Sequence, residues 1–335
     1  MIITRTPFRI SFFGGGTDYP AWYKNNGGAV LATSIDKYCY ISIRYLPPFF
    51  EHLHRIVYSR VEHVASISEI QHPTVRAILN EFNPIRGLEI HHDGDLPARA
   101  GLGSSSSFAV GLLNAMSALN GRRVTKRNLA ERATYIEQEL MQENVGCQDQ
   151  ITTAYGGFNI INFEPDNTKN VAPVIANPLN IQNLQDSMML FYTGVSRFAS
   201  KIAGEQLKNF SNRTTELTRM REMVEEGANL LDQKINPVKE FGELLHESWL
   251  LKKRLANTIT NSEINEIYEK GLNAGAYGGK LLGAGGGGFL LFIAPKEKHF
   301  IIKEALPNLV YVSFKFDHDG SKVIVYDPED SDCSP

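Results

Sequence analysis

The sequence predicts an α+β fold in two lobes, and three observations carry the prediction. Short runs rich in β-branched and aromatic residues alternate with segments whose apolar residues recur at helical spacing. The chain has 335 residues, which at about 100–200 residues per domain suits two lobes. A polar stretch from Asn167 to Gln185, containing Pro173 and Pro178, offers a place to divide it. The expected domains are residues 1–180 and residues 181–335.

The elements follow in order. Met1 to Phe13 reads as a strand, with Ile2, Ile3, Ile10, Phe12 and Phe13 set among Thr and Arg. Ala29 to Tyr45 is further strand with few breakers, and Leu88 to Asp93 is a short one. Pro97 then leads into Gly101-Leu102-Gly103 and four serines, Ser104 to Ser107. A helix follows the serines: Phe108, Leu112, Ala115 and Leu119 fall at i, i+4, i+7 and i+11, and Gly121 is placed to end it. Thr125 is a good N-cap for a second helix, on which Leu129, Ala133, Ile136 and Leu140 repeat the spacing. A loop through Gly146 leads to a short helical piece over Asp149 that ends at Gly156-Gly157, and Phe158 to Phe163 is again strand. Beyond the polar stretch, Met188 to Thr193 is a strand. Helical patterns then run from about Phe198 to Asn273, broken near Ser211 and at Pro237. Gly285 to Ala294 turns a glycine loop into a strand, read as helix, glycine turn, strand. Val310 to Phe316 and Lys322 to Tyr326 close the chain as strands.

Composition excludes several functions. An apolar content of 42% with 21% charged residues argues against a disordered chain. The formal charge of −3 lacks the basic excess of a dedicated nucleic-acid binder, though it leaves room for a local basic pocket. Cys39, Cys147 and Cys333 are too few and too scattered for a disulfide framework or a zinc site, which predicts a reduced, cytoplasmic chain. Met1 to Gly14 lacks the apolar core expected of a signal peptide, and no stretch approaches the roughly 20 apolar residues of a membrane span.

Glycine is clustered at Gly14 to Gly16, Gly101 to Ser107 and Gly283 to Gly288, three loops able to converge on one site. Gly279-Lys280 fails as a Walker A loop, because position 274 is Ala and Leu281 follows the lysine. Gly283, Gly285 and Gly288 fit GxGxxG, but with no helix after the turn a dinucleotide fold is rejected. Gly101 to Ser107 runs straight into a helix start, where free N–H groups and the helix dipole favour an anion. A serine N-cap is the plain alternative, although four serines exceed what a cap needs.

These loops with their flanks resemble three ordered motifs of the GHMP kinase family, which includes galactokinase, homoserine kinase and mevalonate kinase. Pro7-Phe8-Arg9-Ile10-Ser11-Phe12-Phe13-Gly14-Gly15-Gly16-Thr17-Asp18 resembles the first. Pro97-Ala98-Arg99-Ala100-Gly101-Leu102-Gly103-Ser104-Ser105-Ser106 resembles the second, the ATP-phosphate loop. Lys280-Leu281-Leu282-Gly283-Ala284-Gly285-Gly286-Gly287-Gly288-Phe289 resembles the third. The resemblance spans nearly the whole chain. It implies an N-terminal lobe like ribosomal protein S5 domain 2, a ferredoxin-like C-terminal lobe, and a site between them for ATP, Mg2+ and the acceptor.

The resemblance also implies roles. Gly101, Leu102, Gly103, Ser104, Ser105, Ser106, Gly285 and Gly286 would hold ATP. Asp149, in Gly146-Cys147-Gln148-Asp149-Gln150, would deprotonate the acceptor hydroxyl; from the residues alone it is equally a solvent-exposed helix-start acid. Arg9 would pair with Asp149 and offset transition-state charge. Ser105 and Glu137 would bind the metal, with Glu139 and Glu143 as competitors and a solvated acidic face as the plain alternative. Glu137 and Glu139 point to different helix faces, so only one is expected to serve. Asp18, Gly15 and Gly16 would meet the acceptor. Galactokinases carry Glu-His where this chain has Gly15-Gly16, which removes two side chains from the sugar and makes room for a longer acceptor.

Gly-Gly-Gly-Thr-Asp, Gly-Cys-Gln-Asp-Gln and Tyr155-Gly156-Gly157-Phe158-Asn159 are most similar to the D-glycero-D-manno-heptose 7-phosphate kinase branch, which phosphorylates the anomeric C1 hydroxyl in nucleotide-heptose synthesis. A cation should then meet the 7-phosphate. Arg197 is the candidate, with Lys37 and Arg99 as others and a surface helix cation as the alternative reading. A fucose-like or other hexose 1-kinase, or a sugar and ATP sensor without turnover, are the competing readings. Cys147 is read as a small loop residue, His91-His92 as structural, and Trp22 and Tyr23 as lining the acceptor or packing.

Overall fold

A computed structural model of the chain describes residues 1–98, 100–194, 199–233 and 236–328. The chain opens with β1 (Ile2–Phe13), α1 (Pro20–Asn26) and the long β2 (Gly28–Tyr45), which pairs antiparallel with β1 along most of its length. The hairpin β3 (His54–Val57) and β4 (Val61–Val64), helix α2 (Pro73–Phe82) and strand β5 (Leu88–Gly94) come next. Helix α3 (Ser104–Leu119) begins at the serines themselves, because Gly103 adopts the left-handed conformation at its N-cap. Helix α4 (Lys126–Tyr135) starts where expected, with the Thr125 side chain accepting from the Asn128 N–H. It passes into a wider π turn over Ile136–Leu140.

Helix α5 (Gln148–Tyr155) and β6 (Phe158–Phe163) occupy the expected places. The polar stretch that follows is not a linker. It forms β7 (Lys169–Pro173), which extends the sheet beside β6, and α6 (Pro178–Asp186), whose Asn177 cap and buried Leu184 tie it down. After β8 (Met188–Tyr192) come α7 (Ala199–Asn209), α8 (Thr214–Asp232), α9 (Val238–Leu255) and α10 (Ser262–Asn273). Then β9 (Gly278–Leu281) and β10 (Phe289–Ile293) form a hairpin around the third glycine loop. The expected helix–turn–strand reading missed β9, which is four residues long and half glycine. The chain ends through α11 (His299–Ala305), β11 (Val310–Val312), β12 (Phe316–Asp317) and β13 (Lys322–Tyr326).

Among the described residues there are two sheets. The first has nine strands along the path β13-β1-β2-β5-β3-β4, with β12 and β6 also on β2 and β7 on β6. The second is antiparallel, in the order β11-β8-β10-β9. The expected boundary at residue 180 places β12 and β13 in the C-terminal lobe, but both lie in the N-terminal sheet: β13 pairs with β1 and β12 with β2. Strand pairing across almost the whole chain leaves no local pattern to read.

The two lobes share a core. Phe241 on α9 packs edge-on against Phe12 and Phe13 of β1, with ring centroids 5.4 and 5.0 Å away. A second cluster, including Trp22, Trp249, Tyr268 and Phe292, fills the C-terminal side. No helix among the described residues is long and apolar enough to cross a membrane.

Candidate active site

Strand β1 delivers Arg9 to the point where the glycine loops meet. Its Nε and Nη2 donate to the two carboxylate oxygens of Asp149, each at 2.7 Å. Its Nη1 donates to the Gly101 carbonyl at 2.7 Å, and its backbone N–H to the Leu102 carbonyl at 3.0 Å. One arginine therefore binds both the acid at the start of α5 and the loop at the start of α3. The bidentate fork fixes the carboxylate plane as well as its distance. The Arg9 side chain is 4% exposed and that of Asp149 26%, so the acid is the member of the pair that faces outward.

The second and third glycine loops touch backbone to backbone. A Cβ on Gly101 would lie 2.5 Å from the Leu282 carbonyl oxygen, and one on Gly283 2.4 Å from the Gly101 Cα. The Phe289 N–H donates to the Ala100 carbonyl at 3.2 Å. These approaches are open only to glycine. Contact between the loops runs through Gly283 and Gly288; Gly285 instead lies against Ile259, and the Gly286 N–H donates to the Ile259 carbonyl at 2.8 Å. At the head of α3 the first-turn N–H groups of Ser104, Ser105 and Ser106 point out of the helix end, as an anion site requires. Ser107 is turned inward, donating to the Pro7 and Gly103 carbonyls.

Glu137 lies on the π turn after α4 and is fully buried, whereas Glu139 is exposed. Ser105 Oγ donates to one Glu137 oxygen at 2.9 Å, and Ser106 Oγ to the other at 2.8 Å. The Gln150 side-chain amide donates as well. Burial pushes the Glu137 carboxyl up to about 7 against these three donors. The chemistry suits Mg2+, a hard cation that takes oxygen ligands and keeps few of them from protein when phosphates are present.

Asp18 is also buried. Its Oδ1 accepts from the Gly16 N–H at 3.0 Å and its Oδ2 from the Gln148 N–H at 3.2 Å, while its carbonyl accepts from Cys147. Burial, then the charge of Asp149, raises its carboxyl to about 6. A Cβ on Gly146 would sit 1.9 Å from Asp18 Oδ2, so that glycine lets the loop close on the acid. Gly15 and Gly16 lie on the same side, Gly15 against Ser11 and Gln148, Gly16 against Leu217 of α8.

Sequence reasoning gave no role to two lysines, Lys280, which it met only within glycine motifs, and Lys252. Lys280 of β9 is buried and donates to the Phe12 carbonyl at 2.7 Å; burial, then Arg9, lowers it to about 7. Lys252 of α9 donates to the Leu281 carbonyl at 2.9 Å and to the Gly283 carbonyl. Burial, then Lys280 and Arg9, lowers it well below the ordinary lysine value. A lysine sitting on a buried helix face at position 252 was the available signal.

The remaining expectations divide. Arg197 and Arg99 lie outside the described residues, and Lys37 pairs with Asp36 at 3.6 Å. His91 pairs with Glu89 at 3.0 Å and His92 packs on Phe108, as structural residues. Burial raises Cys147 to about 11, which suits a packed thiol rather than a nucleophile. Trp22 packs against Phe210 and Tyr23 stacks on Phe163.

Family models for the GHMP kinases N terminal domain and the GHMP kinases C terminal region match residues 69–157 and 229–312. The chain belongs to the GHMP kinase family. This GHMP kinase is 29% identical to the D-glycero-alpha-D-manno-heptose 7-phosphate kinase of Campylobacter jejuni, covering 96% of its own length and 98% of that protein's. It is 25% identical to the galactokinase of Pyrococcus furiosus, over 98% of each chain. The crystal structure of a D-glycero-D-manno-heptose 1-phosphate kinase from Bacteroides thetaiotaomicron shares the fold with a TM-score of 0.78, at 22% identity over 96% and 98% of the two chains. This GHMP kinase is accordingly an ATP-dependent phosphotransferase with an alcohol group of a sugar as acceptor.

Proposed function

We propose that the chain phosphorylates the anomeric C1 hydroxyl of D-glycero-D-manno-heptose 7-phosphate to give the 1,7-bisphosphate. The observation that carries the kinase chemistry is Arg9 clamped to both Asp149 and the loop before α3. The near full-length likeness to the Campylobacter jejuni heptose kinase supports the acceptor, as do the small residues Gly15 and Gly16.

In this reading the nucleotide phosphates lie at the α3 N-terminus, among Gly101, Leu102, Gly103, Ser104, Ser105 and Ser106, with the third glycine loop behind them. Asp149 accepts the proton of the C1 hydroxyl as that oxygen bonds to the γ-phosphorus and the bond to the bridging oxygen of ADP breaks. Arg9 keeps the carboxylate oriented and offsets charge on the transferring group. Glu137 and Ser105 would hold Mg2+, which when bound neutralises phosphate charge. Asp18 holds the Gly16 and Gln148 backbone that shapes the acceptor side.

The test is a coupled assay with magnesium and ATP on D-glycero-D-manno-heptose 7-phosphate, sedoheptulose 7-phosphate, galactose, fucose and mannose. Turnover confined to the heptose phosphate and reduced about 100-fold to 10,000-fold in Asp149→Ala is the expected result. Turnover on a neutral hexose instead would overturn the acceptor and leave the kinase chemistry standing. An Asp149→Ala variant as active as the native chain would overturn the base.

A further inference from the structure

Gly15 sits between Ser11 and Gln148, each of which carries a buried polar atom without a hydrogen-bond partner. It is absent from the glycines with a positive φ, so its backbone admits any L-residue. A Cβ there would lie 3.7 Å from Ser11 Oγ and 3.7 Å from the Gln148 side-chain amide nitrogen, and apart from the chain neighbours no other atom comes within 4 Å. Ser11 follows Arg9 by two residues on β1, which puts both on one face of the strand. Gln148 immediately precedes Asp149 at the head of α5.

Ser11 is 7% exposed, and its hydroxyl makes no hydrogen bond. The Gln148 Oε1 atom is likewise buried without a partner. Buried polar atoms are nearly always satisfied, so each exception calls for a reason. Here the Ser11 hydroxyl, two residues after Arg9, and the carboxamide that carries the unpartnered Gln148 oxygen, one residue before Asp149, face the same bare Cα. A hydroxyl and a carboxamide together offer donors and acceptors, the combination that recognises an alcohol rather than a charged group.

We propose that Ser11 and Gln148 bind a hydroxyl of the acceptor sugar across Gly15, and that the missing Cβ of Gly15 sets how deeply the acceptor enters. The inference rests on the sugar-kinase reading and assigns that acceptor site its specificity-determining residues. Gly15 selects by what it leaves out, and the two polar side chains select by requiring a hydroxyl at one position of the ring. A deoxy analogue lacking that hydroxyl would leave both groups unpaired and bind less well.

The experiment measures KM for the acceptor and for ATP in Ser11→Ala, Gln148→Met and Gly15→Ala, using the sugar that the native chain turns over best in the panel above. Each variant should raise the acceptor KM by about fivefold to tenfold, the loss of one hydrogen bond or of close approach, while the KM for ATP stays within about twofold. Ser11→Ala should leave the melting temperature unchanged, because it removes a hydroxyl that the fold does not use. If all three variants match the native acceptor KM, the inference is overturned while the kinase reading stands. Equal rises in both KM values would mark a structural role and overturn it as well. If the native chain phosphorylates no sugar at all, both fall together.

Discussion

Glu137 carries a cost that only its ligands offset. Its carboxyl lies at about 7 against 4.5 when exposed, chiefly through burial, so the folded chain retains a proton that the unfolded chain releases between those values. The sign follows: the contribution of Glu137 to stability is most favourable below about pH 4.5 and is lost as the pH rises through about 7. Glu137→Gln should therefore gain on the native chain between pH 5 and pH 8, by up to about 3 kcal/mol, read as a widening gap in melting temperature. A gap independent of pH would contradict this. Gly146 is the second residue whose chemistry is dictated by a carboxylate. With 1.9 Å between a Cβ and Asp18 Oδ2, Gly146→Ala must displace the acid or the loop. It should cost about 1–3 kcal/mol in urea unfolding and lower kcat, because Gln148 and Asp149 follow directly.

At the scale of elements, the β9–β10 hairpin depends on α9. Lys252 ties the Leu281 and Gly283 carbonyls, and Gly283 leans on Gly101 in the phosphate loop. Lys252→Met should orphan those carbonyls, lower stability by about 1–3 kcal/mol, and raise KM for ATP more than KM for the acceptor. Steady-state kinetics with each substrate varied in turn would check the difference. This dependence was not legible in the sequence, where Lys252 is one lysine of a basic helix end. What was legible is instructive. Strands β1, β2 and β6 and the start of α4 were placed within about a residue or two, because β-branched runs and a threonine cap are local signals. The three glycine clusters were visible in the residues themselves, whereas Arg9, Asp149 and Glu137 stood out only through the resemblance to the GHMP kinases. Strand β7 and helix α6 were not visible, because a polar, proline-marked segment reads as linker until its pairing partner is known. Ser11 and Gln148 lie inside motifs that give neither of them a role; their meaning lies in facing the same glycine from two elements.

At the scale of the molecule, the division at residue 180 is not one the first sheet respects. β12 and β13 supply neighbours to β2 and β1, and α9 packs Phe241 against Phe12 and Phe13. Residues 1–180 expressed alone should lack a cooperative urea transition, since the core of β1 is completed from the other side of that boundary. A sharp transition matching the full chain in midpoint would show the N-terminal lobe to be self-sufficient. The β1–β13 pairing also bears on how the protein is made. Synthesis runs from the N-terminus, so β1 is made long before β13, its outer neighbour in the sheet. Throughout elongation the free edge of β1 is exposed to other nascent chains, the condition under which strands pair wrongly. A ribosome stalled just short of Lys322 would hold a chain with that edge still open, a species suited to capture by chaperones or proteases.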